Sequence, residues 1–105
     1  MPFVIVHSMR PVAERWSDAP ADLAALISDC LNTPTSEVQV IVQAPTVAVH
    51  GAATYVEVKC RQKPDRTPER LADAAARIKA LVAERLDGDT VVRLFAHADA
   101  TIGAA

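Results

Sequence analysis

Proline at position 2 directly follows the initiator Met1 and heads an apolar run, Phe3-Val4-Ile5-Val6. Proline is tolerated at the first residue of a strand, and that alone accounts for its place. The placement also has a chemical reading. Removal of Met1 turns Pro2 into a secondary amine at a sheet edge. An apolar setting disfavours its ammonium form and draws its pKa towards neutrality, and a base of that strength can move a proton on carbon. Arg61 and Arg66 fall at the end of a later apolar alternation and in the loop beyond it. As ordinary surface residues they are solvated. As guanidinium forks they grip a carboxylate bidentately and stabilise negative charge on an enolate or hydrate oxygen. Arg93 stands inside a third alternation, in register with Val91 and Phe95, where a buried arginine requires an anionic partner. Pro2 as a catalytic group, with Arg61, Arg66, Arg93 and Phe95 as substrate-binding side chains, is thus one reading; an ordinary strand start with solvated or ion-paired arginines is the other.

Other chemistries lack their residues. His7, His50 and His97 show no ligand spacing and read as structural, so no metal is expected. No Gly-rich phosphate loop or nucleophile elbow is present, and no cofactor is expected. Eleven basic against thirteen acidic residues leave a net charge of −2, with no one-signed run and only four aromatic residues. A nucleic-acid footprint needs a basic face, and stacking needs aromatic platforms, so nucleic acid is not an expected partner. No apolar run approaches the roughly 20 residues of a membrane helix, and the N-terminus lacks a signal-peptide layout. Cys30 and Cys60 are too few for a disulfide framework, which makes a reducing cytoplasm the expected compartment.

The elements that must hold these residues are legible from their periods. Residues 3–8 read as a buried strand, and residues 9–17 as a polar loop. Ser17-Asp18 followed by Pro20 starts a helix whose apolar stripe is Leu23, Leu26, Ile27, Cys30 and Leu31; Asn32-Thr33-Pro34 stops it. Residues 37–43 alternate as a strand with Val38, Val40 and Val42 on one face. Residues 45–51 form a short connection that could pair as an extra strand. Residues 55–61 alternate again, and Thr67-Pro68-Glu69 opens a second helix with Leu71, Ala74, Ala75, Ile78, Leu81 and Val82 as its stripe. Asp73 and Arg77 make a favourable i,i+4 pair there, and Gly88 ends the segment. Residues 90–97 close the chain as a strand. At 105 residues, positions 1–105 make one domain of class α/β (α+β). Two βαβ repeats with parallel strands form a four-stranded mixed sheet with two helices on one face. The other face carries apolar residues and is expected to be covered by oligomerisation.

Met1-Pro2-Phe3-Val4-Ile5-Val6, the spacing of the two helices, and Ala83-Glu84-Arg85-Leu86 before the last strand resemble the tautomerase superfamily. Val47-Ala48-Val49-His50-Gly51 and Ala100-Thr101-Ile102-Gly103 are closest to its migration-inhibitory-factor members. Arg66-Thr67-Pro68-Glu69-Arg70 is similar to its 5-carboxymethyl-2-hydroxymuconate isomerases. The resemblance spans nearly the whole chain and lies in the joint order of the motifs. It implies a homotrimer of βαβ repeats with an N-terminal proline catalyst. The Arg61–Arg66 pair resembles the strand-end arginines of the superfamily's dehalogenases and decarboxylases, at longer spacing. The resemblance also places Arg93 where an asparagine lines a neighbouring subunit's pocket, which suggests a substrate acid or an intersubunit ion pair. A pocket lysine corresponds to Thr33, a pocket tyrosine to Val91, and a Cys-x-x-Cys stretch to residues 56–59. Glu37 falls near an acid that the decarboxylases use, although an exposed strand residue explains it as well.

The expected activity is cofactor-free proton transfer on a small carboxylated enol or keto acid. Hydration, dehalogenation or decarboxylation follows if Pro2 acts as the protonated acid. From a different class, a catalytically silent trimer that binds a ligand or partner fits the changes at Thr33 and Val91.

Overall fold

The first strand, β1 (Phe3–Ser8), sits inside the sheet because Val4 and Val6 are fully buried while Phe3 and Ile5 alternate away from them. The computed structural model describes residues 2–45 and 50–103. A four-residue helix α1 (Val12–Arg15) follows, then α2 (Ala19–Leu31), β2 (Gln39–Gln43), β3 (Thr54–Arg61), α3 (Pro68–Arg85) and β4 (Thr90–His97). The strand order is β2-β1-β3-β4. The pairs β1–β2 and β3–β4 are parallel, as a helical crossover demands, and β1–β3 is antiparallel. The two βαβ repeats thus meet at the middle of one mixed sheet.

Both long helices lie on one sheet face, and the core sits between them and the strands. Leu23, Ile27 and Leu31 of α2 and Ala74, Ile78 and Val82 of α3 pack with Val4, Val6, Val56, Val58 and Val92. Asn32 ends α2 in the left-handed conformation at φ 52°, which asparagine tolerates better than most residues. Thr67 begins α3 by accepting a hydrogen bond from the Arg70 N–H at 3.2 Å.

Four local expectations are corrected. The loop of residues 9–17 contains α1 and buries Val12 and Trp16, whose indole N–H donates to Asp22 at 2.7 Å. A single turn is too short to carry a period, so the sequence does not display it. The second strand starts at Gln39 rather than residue 37. Pro34 leads into a 3₁₀ turn, Thr35–Glu37, that uses the N–H groups of Glu37 and Val38 before they could join the ladder. Asp18 occupies the N-cap of α2 without a side-chain cap bond. Arg77 pairs across to Asp29 of α2 at 2.8 Å instead of with Asp73, because the two helices lie side by side. The suggested extra strand in residues 45–51 falls mostly outside the described residues.

Candidate active site

Parallel pairing within each repeat and antiparallel pairing between them bring four chain segments to one end of the sheet. β1 and β2 begin there, and β3 and β4 end there. Pro2 lies at this end, buried, and its carbonyl accepts the Gln39 N–H at 3.0 Å. Phe3 pairs with Lys59, so continuing the register sets Pro2 opposite Cys60. Arg61 ends β3 directly beside His97, the end of β4.

A pocket of about 280 Å³ opens at this end, lined by Phe3, Lys59, Cys60, Arg61, His97 and Ile102. It is mostly apolar in outline and cationic at its rim, the combination that seats a small organic anion. Phe95 stands next to it, with its ring stacked on His97 at 6.4 Å between centroids and its backbone paired with Lys59. Arg61 is half exposed, and its Nη1 stands 3.4 Å from Asp99 Oδ1. A larger groove of about 650 Å³ runs along Lys79, Ala83, Thr90 and Val91 at the far sheet end, but none of the candidate residues lines it.

Arg66 lies deeper than its position in a charged loop suggests, only 1% exposed. Its Nη1 donates to the Arg61 carbonyl at 2.7 Å, while Nε and Nη2 have no hydrogen-bond partner among the described residues. The loop of residues 62–66 folds back on itself through Arg66 N–H to the Lys63 carbonyl at 2.9 Å, with the Gln62 amide bridging the Lys63 and Arg66 carbonyls. Arg66 thereby fixes the backbone from which the Arg61 side chain springs. Burial pushes the Cys60 thiol up, with the adjacent Arg66 guanidinium opposing, so Cys60 stays a neutral wall of the pocket at pH 7.

Arg93 is not brought to this pocket within one protomer. It stands on the open sheet face four residues before His97, about 13 Å along the strand, and donates to the Val92 carbonyl at 3.1 Å. Its register partner is Glu57, whose carboxylate is engaged by the Tyr55 hydroxyl at 2.7 Å and by Lys59 at 3.3 Å. Thr33, at the corner before β2, is buried and donates to Glu37 at 3.3 Å.

Phe3, Lys59, Cys60, His97 and Ile102 are the pocket residues that sequence reasoning missed, as it missed Asp99, the partner of Arg61. Lys59 and Arg61 share one face at spacing two, a signal that was present. The placement of His97 beside Arg61 depends on the β3–β4 register, which no local pattern specifies. Among the described residues no group of three or more His, Cys, Asp or Glu gathers to hold a metal, and no helix is long and apolar enough to cross a membrane.

No family model matches the sequence, and no curated protein is similar to it. Solved structures are similar over nearly the full length. The macrophage migration inhibitory factor of Trichinella spiralis superposes with a TM-score of 0.79 at 15% identity, covering 97% of this chain and 95% of that one. A migration-inhibitory-factor-like protein of Entamoeba histolytica gives 0.76 at 11% identity, covering 99% and 95%. A member of the cis-3-chloroacrylic acid dehalogenase family gives 0.79 at 20% identity, covering 97% and 79%. At these identities the likeness is one of fold. The chain has the fold of these migration-inhibitory-factor and cis-3-chloroacrylic acid dehalogenase family structures, the fold that its sequence motifs led one to expect.

Proposed function

We propose that the chain is a cofactor-independent tautomerase of small carboxylated enol or keto acids, with Pro2 as the proton carrier after Met1 is removed. The observation that carries this reading is the convergence of the β1 start with the rim of Arg61 and Lys59 at one end of the sheet. The Pro2 amine takes a proton from the substrate's enol oxygen or carbon. The electron pair left behind shifts through the conjugated system, and the same proton returns to the other terminus. Arg61 holds the substrate carboxylate and faces the charge that builds on the enolate oxygen. Burial at the sheet end, with nearby guanidinium groups, favours the neutral amine.

The proposed assembly is a homotrimer whose pockets lie near subunit boundaries. In it, Arg93 completes the pocket of a neighbouring copy or pairs across the boundary, and Phe95 flanks the pocket of its own protomer. Arg66 belongs to the same carboxylate-binding end, behind Arg61. The reading with Pro2 as a protonated acid leads to hydration, dehalogenation or decarboxylation of related acids. A ligand-binding trimer without turnover is the second reading, supported by Thr33, a hydrogen-bonded neutral residue in place of a pocket cation.

The test starts from the intact mass of untagged protein, expected to match a chain beginning at Pro2. That protein is then assayed against enol acids and 3-haloacrylates. Pro2→Ala is expected to lower kcat by about 10²- to 10⁴-fold, the usual weight of a general base, while Arg61→Ala raises KM. Retained Met1 removes Pro2 as the base, and no turnover on any substrate by Met1-free protein leaves the binding reading.

A further inference from the structure

The fork that the proposed function gives to a substrate carboxylate already faces one from the chain itself. Arg61 Nη1 lies 3.4 Å from Asp99 Oδ1, with the two side chains 46% and 72% exposed. Asp99 opens a single 3₁₀ turn, Asp99–Thr101, wound by Thr101 N–H to the Ala98 carbonyl at 2.9 Å and Ile102 N–H to the Asp99 carbonyl at 3.1 Å. The turn departs from a fixed point, since the Gln62 N–H donates to the His97 carbonyl at 2.8 Å and ties the ends of β3 and β4 together. It delivers Ile102, half-buried, into the pocket wall. One ion pair therefore links the cationic fork to the turn that carries an apolar wall of the same pocket.

That pair is built to be exchangeable. A long contact between two largely hydrated side chains is weak and is screened by salt. A free carboxylate can approach the planar guanidinium with two parallel N–H···O bonds, which is the stronger geometry. Replacement of one carboxylate by another leaves the charge at Arg61 unchanged and returns Asp99 to water. The tether keeps Asp99 present at about millimolar effective concentration, so a ligand must bring a good carboxylate to displace it. A neutral enol has nothing to exchange.

We propose that Asp99 is a built-in competitor for the carboxylate seat on Arg61, and that the Asp99–Thr101 turn with Ile102 is a strap that yields when a ligand's carboxylate takes the fork. The proposal rests on the reading of Arg61 as the carboxylate binder. Asp99 is then a specificity-determining residue without a role in proton transfer.

The experiment titrates Met1-free protein with pyruvate, a small keto-acid probe, following backbone amide shifts and the hydrogen exchange of Ile102. Asp99→Asn is expected to tighten pyruvate binding about two- to five-fold, the range that an exposed ion pair spans. Asp99→Glu, which keeps the charge, is expected to bind as the native chain does. The Ile102 amide is expected to exchange faster in Asp99→Asn and in native protein saturated with pyruvate. Arg61→Ala loses most of the affinity. Buried Trp16 reports that each variant is folded. If Arg61→Ala binds weakly but Asp99→Asn binds no better than native, the strap is overturned and the carboxylate reading stands. If Arg61→Ala binds pyruvate like the native chain, the reading of Arg61 fails and the strap falls with it.

Discussion

Glu57 stands on the open face of the sheet with the Tyr55 hydroxyl 2.7 Å from one carboxylate oxygen and the Lys59 ammonium 3.3 Å from the other. The Tyr55 hydrogen bond, with help from Lys59, holds the Glu57 carboxyl below its ordinary value, and Tyr55 is pushed up in return. A carboxyl depressed on folding stabilises the native state above its unfolded pKa, and that contribution is lost as pH falls through the folded one. Tyr55→Phe is therefore expected to raise the Glu57 pKa towards an ordinary glutamate and to move acid unfolding to higher pH. Carboxyl-carbon NMR and circular dichroism follow the two effects; an unmoved Glu57 titration would show that the tyrosine is not its main partner. At this scale the sequence identified residue types better than their surroundings. Arg61 and Arg66 were equivalent as letters, yet one is half exposed and the other is buried on its neighbour's carbonyl. That difference comes from the closure of the 62–66 loop, a backbone event that composition does not encode.

The two long helices begin with the same formula, a capping residue followed by proline, but their caps are unequal. Thr67 accepts from the Arg70 N–H, whereas the Asp18 side chain makes no cap bond. Thr67→Ala should cost about 1 kcal/mol and Asp18→Ala less than about 0.5 kcal/mol, read from urea midpoints at fixed protein concentration. Equal losses would mean that Asp18 caps in solution. The strands were legible nearly residue by residue, with β4 falling on residues 90–97 as expected, because a two-residue period with β-branched side chains on the core face has no helical alternative. The failures share a cause. α1 and the turn before β2 are single turns set by Pro11 and Pro34 carbonyls and local N–H groups, and one turn gives no repeat to detect. Of the residues that line the pocket, Arg61 announces itself by its place at a strand end, while His97 and Ile102 join it only through the parallel register and the turn that follows.

Across the whole molecule, the helix-free face of the sheet is ordered in rows. Gln39, Phe3, Lys59 and Phe95 form one, Ile41, Ile5, Glu57 and Arg93 the next, and Gln43, His7, Tyr55 and Val91 the third. Phenylalanine, isoleucine and valine alternate there with two cations and one acid, a mixture suited to meeting other copies of itself. The proposed homotrimer predicts a sedimenting mass three times the 11.2 kDa of the chain, and Arg93→Glu is expected to shift it towards monomer if Arg93 pairs across the boundary. Native protein running as a monomer at micromolar concentration would remove the subunit-boundary pocket. The two repeats carry one more implication, a historical one. Their near-symmetry gives the sheet two equivalent corners, at the starts of β1 and β3. At the second corner the Thr54 nitrogen is an amide that donates to the Asp89 carbonyl at 3.0 Å, and Ser8 and Thr54 close it with a hydroxyl–hydroxyl bond of 2.8 Å. In any chain made by joining two such halves end to end, only the first half can begin at a basic nitrogen. Duplication of the backbone would therefore not duplicate the proposed proline-amine chemistry, and the second corner is held instead as a hydrogen-bonded clasp.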